Sequence, residues 1–172
     1  GNSITVYAIA RNPGGAFVSN IAADSITLVN RTGGVVGADL VASADRKSAV
    51  LTGHLVGTAQ IVGYSGVLTQ ISSGTITIVT GPATSIIANA GTPQSTVVNT
   101  AFSTNLQATV RDAGNNPLSG ISVTFTGPSA GARGTFVNGT DTTIATTNAS
   151  GVATATAFTA NTTAGSYSVN AS

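Results

Sequence analysis

Apolar and polar residues alternate along most of this chain in short runs broken by Gly, Asn and Pro. Ile4–Ala10 places Ile4, Val6, Ala8 and Ala10 on one face, the pattern of a strand with one buried side. Asn12-Pro13-Gly14-Gly15 reads as the turn that follows. Further strands are expected at Ser25–Val29, Ala38–Val41, Ser48–Thr52, Gly57–Tyr64 and Thr75–Val79. A second series covers Thr84–Ala88, Ser95–Val98, Leu106–Arg111, Ile121–Phe125, Thr135–Val137, Thr142–Thr147, Val152–Phe158 and Ser166–Ala171. Asn138-Gly139, between two of these, is a hairpin signal. No stretch carries helical periodicity. Many short strands with frequent turns predict an all-β, antiparallel fold.

The pattern also repeats. ARNPGGAFVSNI (Ala10–Ile21) stands one hundred positions before VRDAGNNPLSGI (Val110–Ile121). Arg11 matches Arg111, Gly14 matches Gly114, Ser19 matches Ser119 and Ile21 matches Ile121. A self-match at the spacing of one small domain predicts tandem β-domains. Thr80-Gly81-Pro82-Ala83 is the linker, with a boundary between residues 1–81 and 82–172. Gly81 frees the backbone and Pro82 restricts it, so this pair is expected to set the angle between closely joined domains. Gly14 and Gly114 are expected to shape matched turns, and Val110, Val123, Phe125 and Phe158 to build the second core.

Composition narrows the function. The chain is 41% hydrophobic and 6% charged, with a net charge of +1. It has no Cys and no Glu, and Lys47 is its only lysine. No basic patch could track a phosphate backbone, so nucleic acid is not an expected partner. No apolar run is long enough to span a bilayer, so membrane insertion is not expected. Cysteine gives no clue to compartment, and stability rests on packing.

Two stretches carry a family resemblance. LQATVRDAGNNPLSGISVTFTGPSAGARGTF (Leu106–Phe136) and TTNASGVATATAFTANTTAGSYSVNAS (Thr146–Ser172) resemble the group 1 bacterial immunoglobulin-like domains of invasin- and intimin-like surface proteins. The likeness covers nearly all of residues 83–172. ARNPGGAFVSNI and KSAVLTGHLVGTAQIVGY (Lys47–Tyr64) resemble the broader immunoglobulin-like set more loosely. The resemblance implies two tandem immunoglobulin-like β-sandwiches at a microbial cell surface or outside the cell. It implies a rod-like stalk or adhesin repeat, with neighbouring immunoglobulin-like domains as partners and a host or cell-surface receptor bound elsewhere in the protein.

Comparing the halves adds an alternative. The second half has strand-forming sequence at Thr84–Val98 before its RDAGNNP motif, whereas the first begins three residues before its equivalent strand. The first half has Thr75–Val79 after Gly57–Tyr64, whereas the second stops at Ser172. One reading is a stretch taken from a longer array. The other is a self-assembling filament or surface layer, in which identical subunits join head to tail by strand complementation at Gly1 and Ser172.

Candidate chemistry is sparse, and neither catalysis nor a cofactor is expected. His54 is the only histidine, so a His-rich metal site is excluded within one chain, and His54 reads as structural or surface. A nucleophilic relay needs a base beside Ser or Thr, and residues 82–172 contain no His, Lys, Glu or Cys. Paired carboxylates could come only from Asp112 and Asp141, or from Asp24, Asp39 and Asp45, all in or beside turns. Asp112 with Asn115 and Asn116 is a weak calcium candidate, since calcium takes six to eight oxygens. Turn capping is the competing reading of those three residues. Lys47 in a charged turn argues against a Lys–Asn isopeptide cross-link. Sequons at Asn30, Asn138, Asn148, Asn161 and Asn170 are common by chance in a chain this rich in Thr and Asn. Phe17, Phe102, Phe125, Phe136 and Phe158 read as core plugs, which leaves Tyr7, Tyr64 and Tyr167 as the tyrosines available to a binding surface.

Overall fold

The computed structural model describes residues 2–66, 68 and 70–172. Gly1, one of the two expected joints, lies outside the described residues. The chain is all-β, built from several small antiparallel sheets, with one 3-10 turn at Gly37–Asp39. It divides into two compact units, Gly1–Gly81 and Pro82–Ser172.

Unit 1 contains β1 (Ser3–Tyr7), β2 (Ile9–Arg11), β3 (Phe17–Asn20), β4 (Ser25–Val29), β5 (Leu40–Ala42), β6 (Ser48–Thr52), β7 (Gly57–Tyr64) and β8 (Ile76–Ile78). They form sheets β1-β6-β5 and β4-β7-β8 and the hairpin β2-β3. The alternation across Ile4–Ala10 predicts one strand, but the chain changes partner in the middle. Ser3–Tyr7 pairs with β6, and Ile9–Arg11 pairs with β3. Ala8 is the switch: its amide donates to Lys47 O at 2.9 Å, and its carbonyl accepts from Ile21 N at 3.0 Å. Local alternation reports which face is apolar but not which strand lies alongside. Ala23, Val35, Ala49, Leu51, Ala59 and Ile61 are buried. Phe17 is not a core plug: it is 59% exposed, because β3 pairs only with β2 in a two-stranded ribbon.

Unit 2 contains β9 (Ala83–Ala90), β10 (Gln107–Asp112), β11 (Ser122–Thr126), β12 (Gly134–Phe136), β13 (Thr142–Thr146), β14 (Val152–Thr154), β15 (Phe158–Ala160) and β16 (Asn170–Ala171). Its sheets are β14-β10-β9 and β13-β11-β16, with β12 paired to β15. Val152–Phe158 splits into two strands serving different partners, β10 and β12. The Asn138-Gly139 turn forms, with Gly139 at φ 78, and closes two bonds, Phe136 N to Thr140 O and Gly139 N to Phe136 O. The strands then part, β12 to β15 and β13 to β11, so the expected hairpin does not extend. Ser95–Val98 is not a strand. Side chains hold that region instead, with Gln94 Nε2 donating to Thr104 O at 2.9 Å and Thr96 Oγ1 2.8 Å from Thr100 Oγ1.

The core of unit 2 is one cluster drawn from the inner faces of both three-stranded sheets and from β12-β15. Ala108, Val110, Leu118, Val123, Phe125, Phe136, Ala153, Ala155 and Phe158 are buried in it. Phe158 sits at its aromatic centre. Its ring centroid lies 4.6 Å from Phe136, 5.9 Å from Phe102 and 6.2 Å from Tyr167, separations typical of favourable aromatic pairs.

Candidate functional site

The self-match at one-hundred spacing is a duplicated piece of hydrogen-bonded structure. In unit 1, Asn12 N donates to Ala16 O at 3.0 Å and Gly15 N to Asn12 O at 2.8 Å. In unit 2, Asp112 N donates to Asn116 O at 3.0 Å and Asn115 N to Asp112 O at 3.0 Å. The side chains repeat too. Asn12 Oδ1 accepts from Ala16 N at 2.9 Å, and Asp112 Oδ1 from Asn116 N at 2.8 Å. Arg11 Nη1 donates to Gly15 O, and Arg111 Nη1 to Asn115 O, both at 2.7 Å. The strands behind the turns match as well, with Arg11 opposite Phe17 and Arg111 opposite Pro117. Gly14 and Gly114 belong to these turns, and the left-handed residue is the next one along: Gly15 at φ 81 and Asn115 at φ 67. Gly and Asn are the residues that tolerate that conformation.

Asp112 shows what the weak calcium candidate does in this fold. It is buried. Its Oδ1 accepts from Gly114 N at 2.9 Å, Asn116 N at 2.8 Å and Asn116 Nδ2 at 3.1 Å. Its Oδ2 accepts from Asn116 Nδ2 at 3.0 Å. These donors are N–H groups, the environment of a capping carboxylate, whereas calcium requires converging oxygens.

Three of the remaining acids also accept from backbone or hydroxyl donors. Asp24 Oδ2 accepts from Gly66 N. Asp141 Oδ1 accepts from Thr142 Oγ1 at 3.3 Å. Asp45 Oδ1 accepts from Ser43 Oγ at 2.7 Å and Lys47 N at 3.1 Å. The Ser43 hydroxyl, then the Lys47 amide, hold the Asp45 carboxyl below its ordinary value. Among the described residues, no three His, Cys, Asp or Glu side chains gather as a metal site needs.

Sequence reasoning leaves His54 without a companion, but the fold supplies one. Asp39, buried in the 3-10 turn, lies with Oδ1 2.9 Å from His54 Nδ1. Its Oδ2 accepts from Val36 N at 2.9 Å. The bond ties the segment after β6 to the turn before β5. Fifteen positions separate the two residues, and no local pattern pairs them.

Three of the five sequon asparagines share one turn geometry. Asn138 Oδ1 accepts from Thr140 N, Asn148 Oδ1 from Ser150 N and Asn161 Oδ1 from Thr163 N. Each is an Asn side chain bonded to the backbone two residues on, the Asx turn.

Thr147 is the residue sequence reading overlooked. It is 3% exposed. Its Oγ1 donates to Leu118 O at 2.6 Å and accepts from Ile121 N at 2.9 Å. One hydroxyl thus stitches the 118–121 connection onto the strand region across from it. The boundary between the units falls between Gly81 and Pro82. No family model, curated protein or solved structure matches the chain.

Proposed function

We propose that this chain is a non-enzymatic structural module of an extracellular microbial surface protein. Two immunoglobulin-like antiparallel β-sandwiches stand in tandem and serve as a stalk or adhesin repeat. The observation that carries this reading is the duplicated turn at residues 11–16 and 111–116, which shares four hydrogen bonds between the two units. The use of polar groups supports the same reading. Asp24, Asp45, Asp112 and Asn148 spend their hydrogen-bonding capacity on their own turns or on neighbouring backbone. Load along such a repeat is borne by shear between paired strands.

Single-molecule pulling of the full chain between its termini tests this. At about 3.5 Å per extended residue, each unit releases roughly 30 nm of contour length, less its folded span. Two separate unfolding events of that size are the expected result. Extension without discrete events, or hydrolytic activity in the purified chain, would sink the proposal.

A further inference from the structure

Asn138-Gly139 is the only Asn-Gly step in the chain. Such a pair can modify itself. The glycine nitrogen, once its proton has passed to water, attacks the Asn side-chain carbonyl carbon, and glycine has no Cβ to shield that nitrogen. A C–N bond forms, the bond from Cγ to Nδ2 breaks, and ammonia leaves. Water then opens the cyclic imide to aspartate or isoaspartate. The net change is one water taken up and one ammonia released, with no oxidant or cofactor.

Burial gives this pair no protection. Asn138, Gly139 and Thr140 are all exposed, and the space beside the Gly139 Cα is open. Hydrogen bonds hold each reacting group instead. Gly139 N, the nucleophile, donates to Phe136 O at 2.9 Å. Phe136 is itself fixed in the core of unit 2. Asn138 Nδ2, the leaving nitrogen, donates to Thr142 O at 2.8 Å. Asn138 Oδ1 accepts from Thr140 N at 3.1 Å and from Thr140 Oγ1 at 3.0 Å. The carboxamide is clamped at both ends, so Cγ is not free to turn toward Gly139 N while the turn is closed.

We propose that Asn138 is a modification site gated by the fold: the closed turn holds off imide formation, and opening of the 136–142 segment releases it. The reaction leaves a permanent mark. Aspartate at this position has no Nδ2 to donate to Thr142 O, and it adds a carboxylate three residues before Asp141. Isoaspartate also inserts an extra backbone atom into a turn closed by Phe136 N and Thr140 O. Asn148 is the contrasting case. Its Oδ1 accepts from Ser150 N and Val152 N, bonds that a carboxylate makes equally well.

The test is incubation of the full chain in mildly alkaline buffer, native and in urea, with each Asn followed by peptide mapping and mass spectrometry. In urea, Asn138 is expected to convert ahead of the other asparagines. In the native chain its conversion is expected to be at least about tenfold slower, because only the open fraction reacts. Thr140→Ala, at an exposed position, removes one clamp. It is expected to speed native conversion severalfold and leave the rate in urea unchanged, and Thr140→Ser is expected to restore protection. Calorimetry reads the mark: Asn138→Asp is expected to lower the melting temperature of unit 2, and Asn148→Asp to leave it nearly unchanged. The proposal is overturned if native and urea rates agree, or if another asparagine converts first in urea. It is also overturned if Thr140→Ala leaves native conversion unchanged or slows it, since the bonds to Oδ1 would then activate the carbonyl rather than lock it. Wild-type melting of Asn138→Asp would overturn the permanent mark.

Discussion

Phe158→Ala tests whether unit 2 is a single packed body that melts on its own. The ring is 4% exposed and contacts Phe102, Phe136 and Tyr167, so its loss removes the aromatic centre of the cluster. Truncating a buried Phe to Ala costs about 3–5 kcal/mol. A groove lined in part by Phe158 lets neighbours relax into the space, which sets the expected cost near the lower end. A unit of about 90 residues has roughly 5–14 kcal/mol of stability in total. The substitution therefore removes a large fraction of it. At about 4–8 °C per kcal/mol for a domain of this size, the unit 2 transition falls by at least ~12 °C. Differential scanning calorimetry of the full chain is the assay, with Phe158→Leu as a variant that folds while losing less. The unit 1 transition stays where it is. A drop worth under ~1 kcal/mol would refute the packing argument. An equal shift of both transitions would refute the independence of the two cores.

Three further outcomes follow from individual bonds. Thr147→Val keeps the shape but strips the partners from Leu118 O and Ile121 N, and is expected to cost about 2–3 kcal/mol, with Thr147→Ser nearly neutral, by chemical denaturation. Asp112→Ala releases three turn donors and is expected to cost about 3 kcal/mol, while calcium and EDTA leave the wild-type melting temperature alike; a calcium-dependent rise would assign the loop to an ion. Tyr167 is the only group in unit 2 that titrates between pH 8 and 12. Burial raises its folded pKa above the ordinary 10, so the unfolded state loses its proton first and stability falls as pH rises past about 10. Melts across that range should show the fall in wild type and its absence in Tyr167→Phe, which also gains about 1 kcal/mol at neutral pH by deleting an unpartnered buried hydroxyl.

Strand positions were legible where a strand stays within one sheet throughout. Ser25–Val29, Ser48–Thr52 and Gly57–Tyr64 stand where alternation places them. Alternation is a local record of burial, and it persists when a chain passes from one sheet to another. Ala8 and the residues between Thr154 and Phe158 are such crossings, and nothing in the period-two pattern marks them. Phe17–Asn20 was missed for the opposite reason: all four residues are exposed, so no face is apolar enough to alternate.

Side-chain roles divide along the same line between local and distant. Turn chemistry is written within four or five residues, which is why the bonds from Gly114 and Asn116 to Asp112 fall inside RDAGNNP. The partnership of Asp39 with His54, and that of Thr147 with Leu118 and Ile121, join segments 15 to 29 positions apart. They exist only because sheet register brings those segments together.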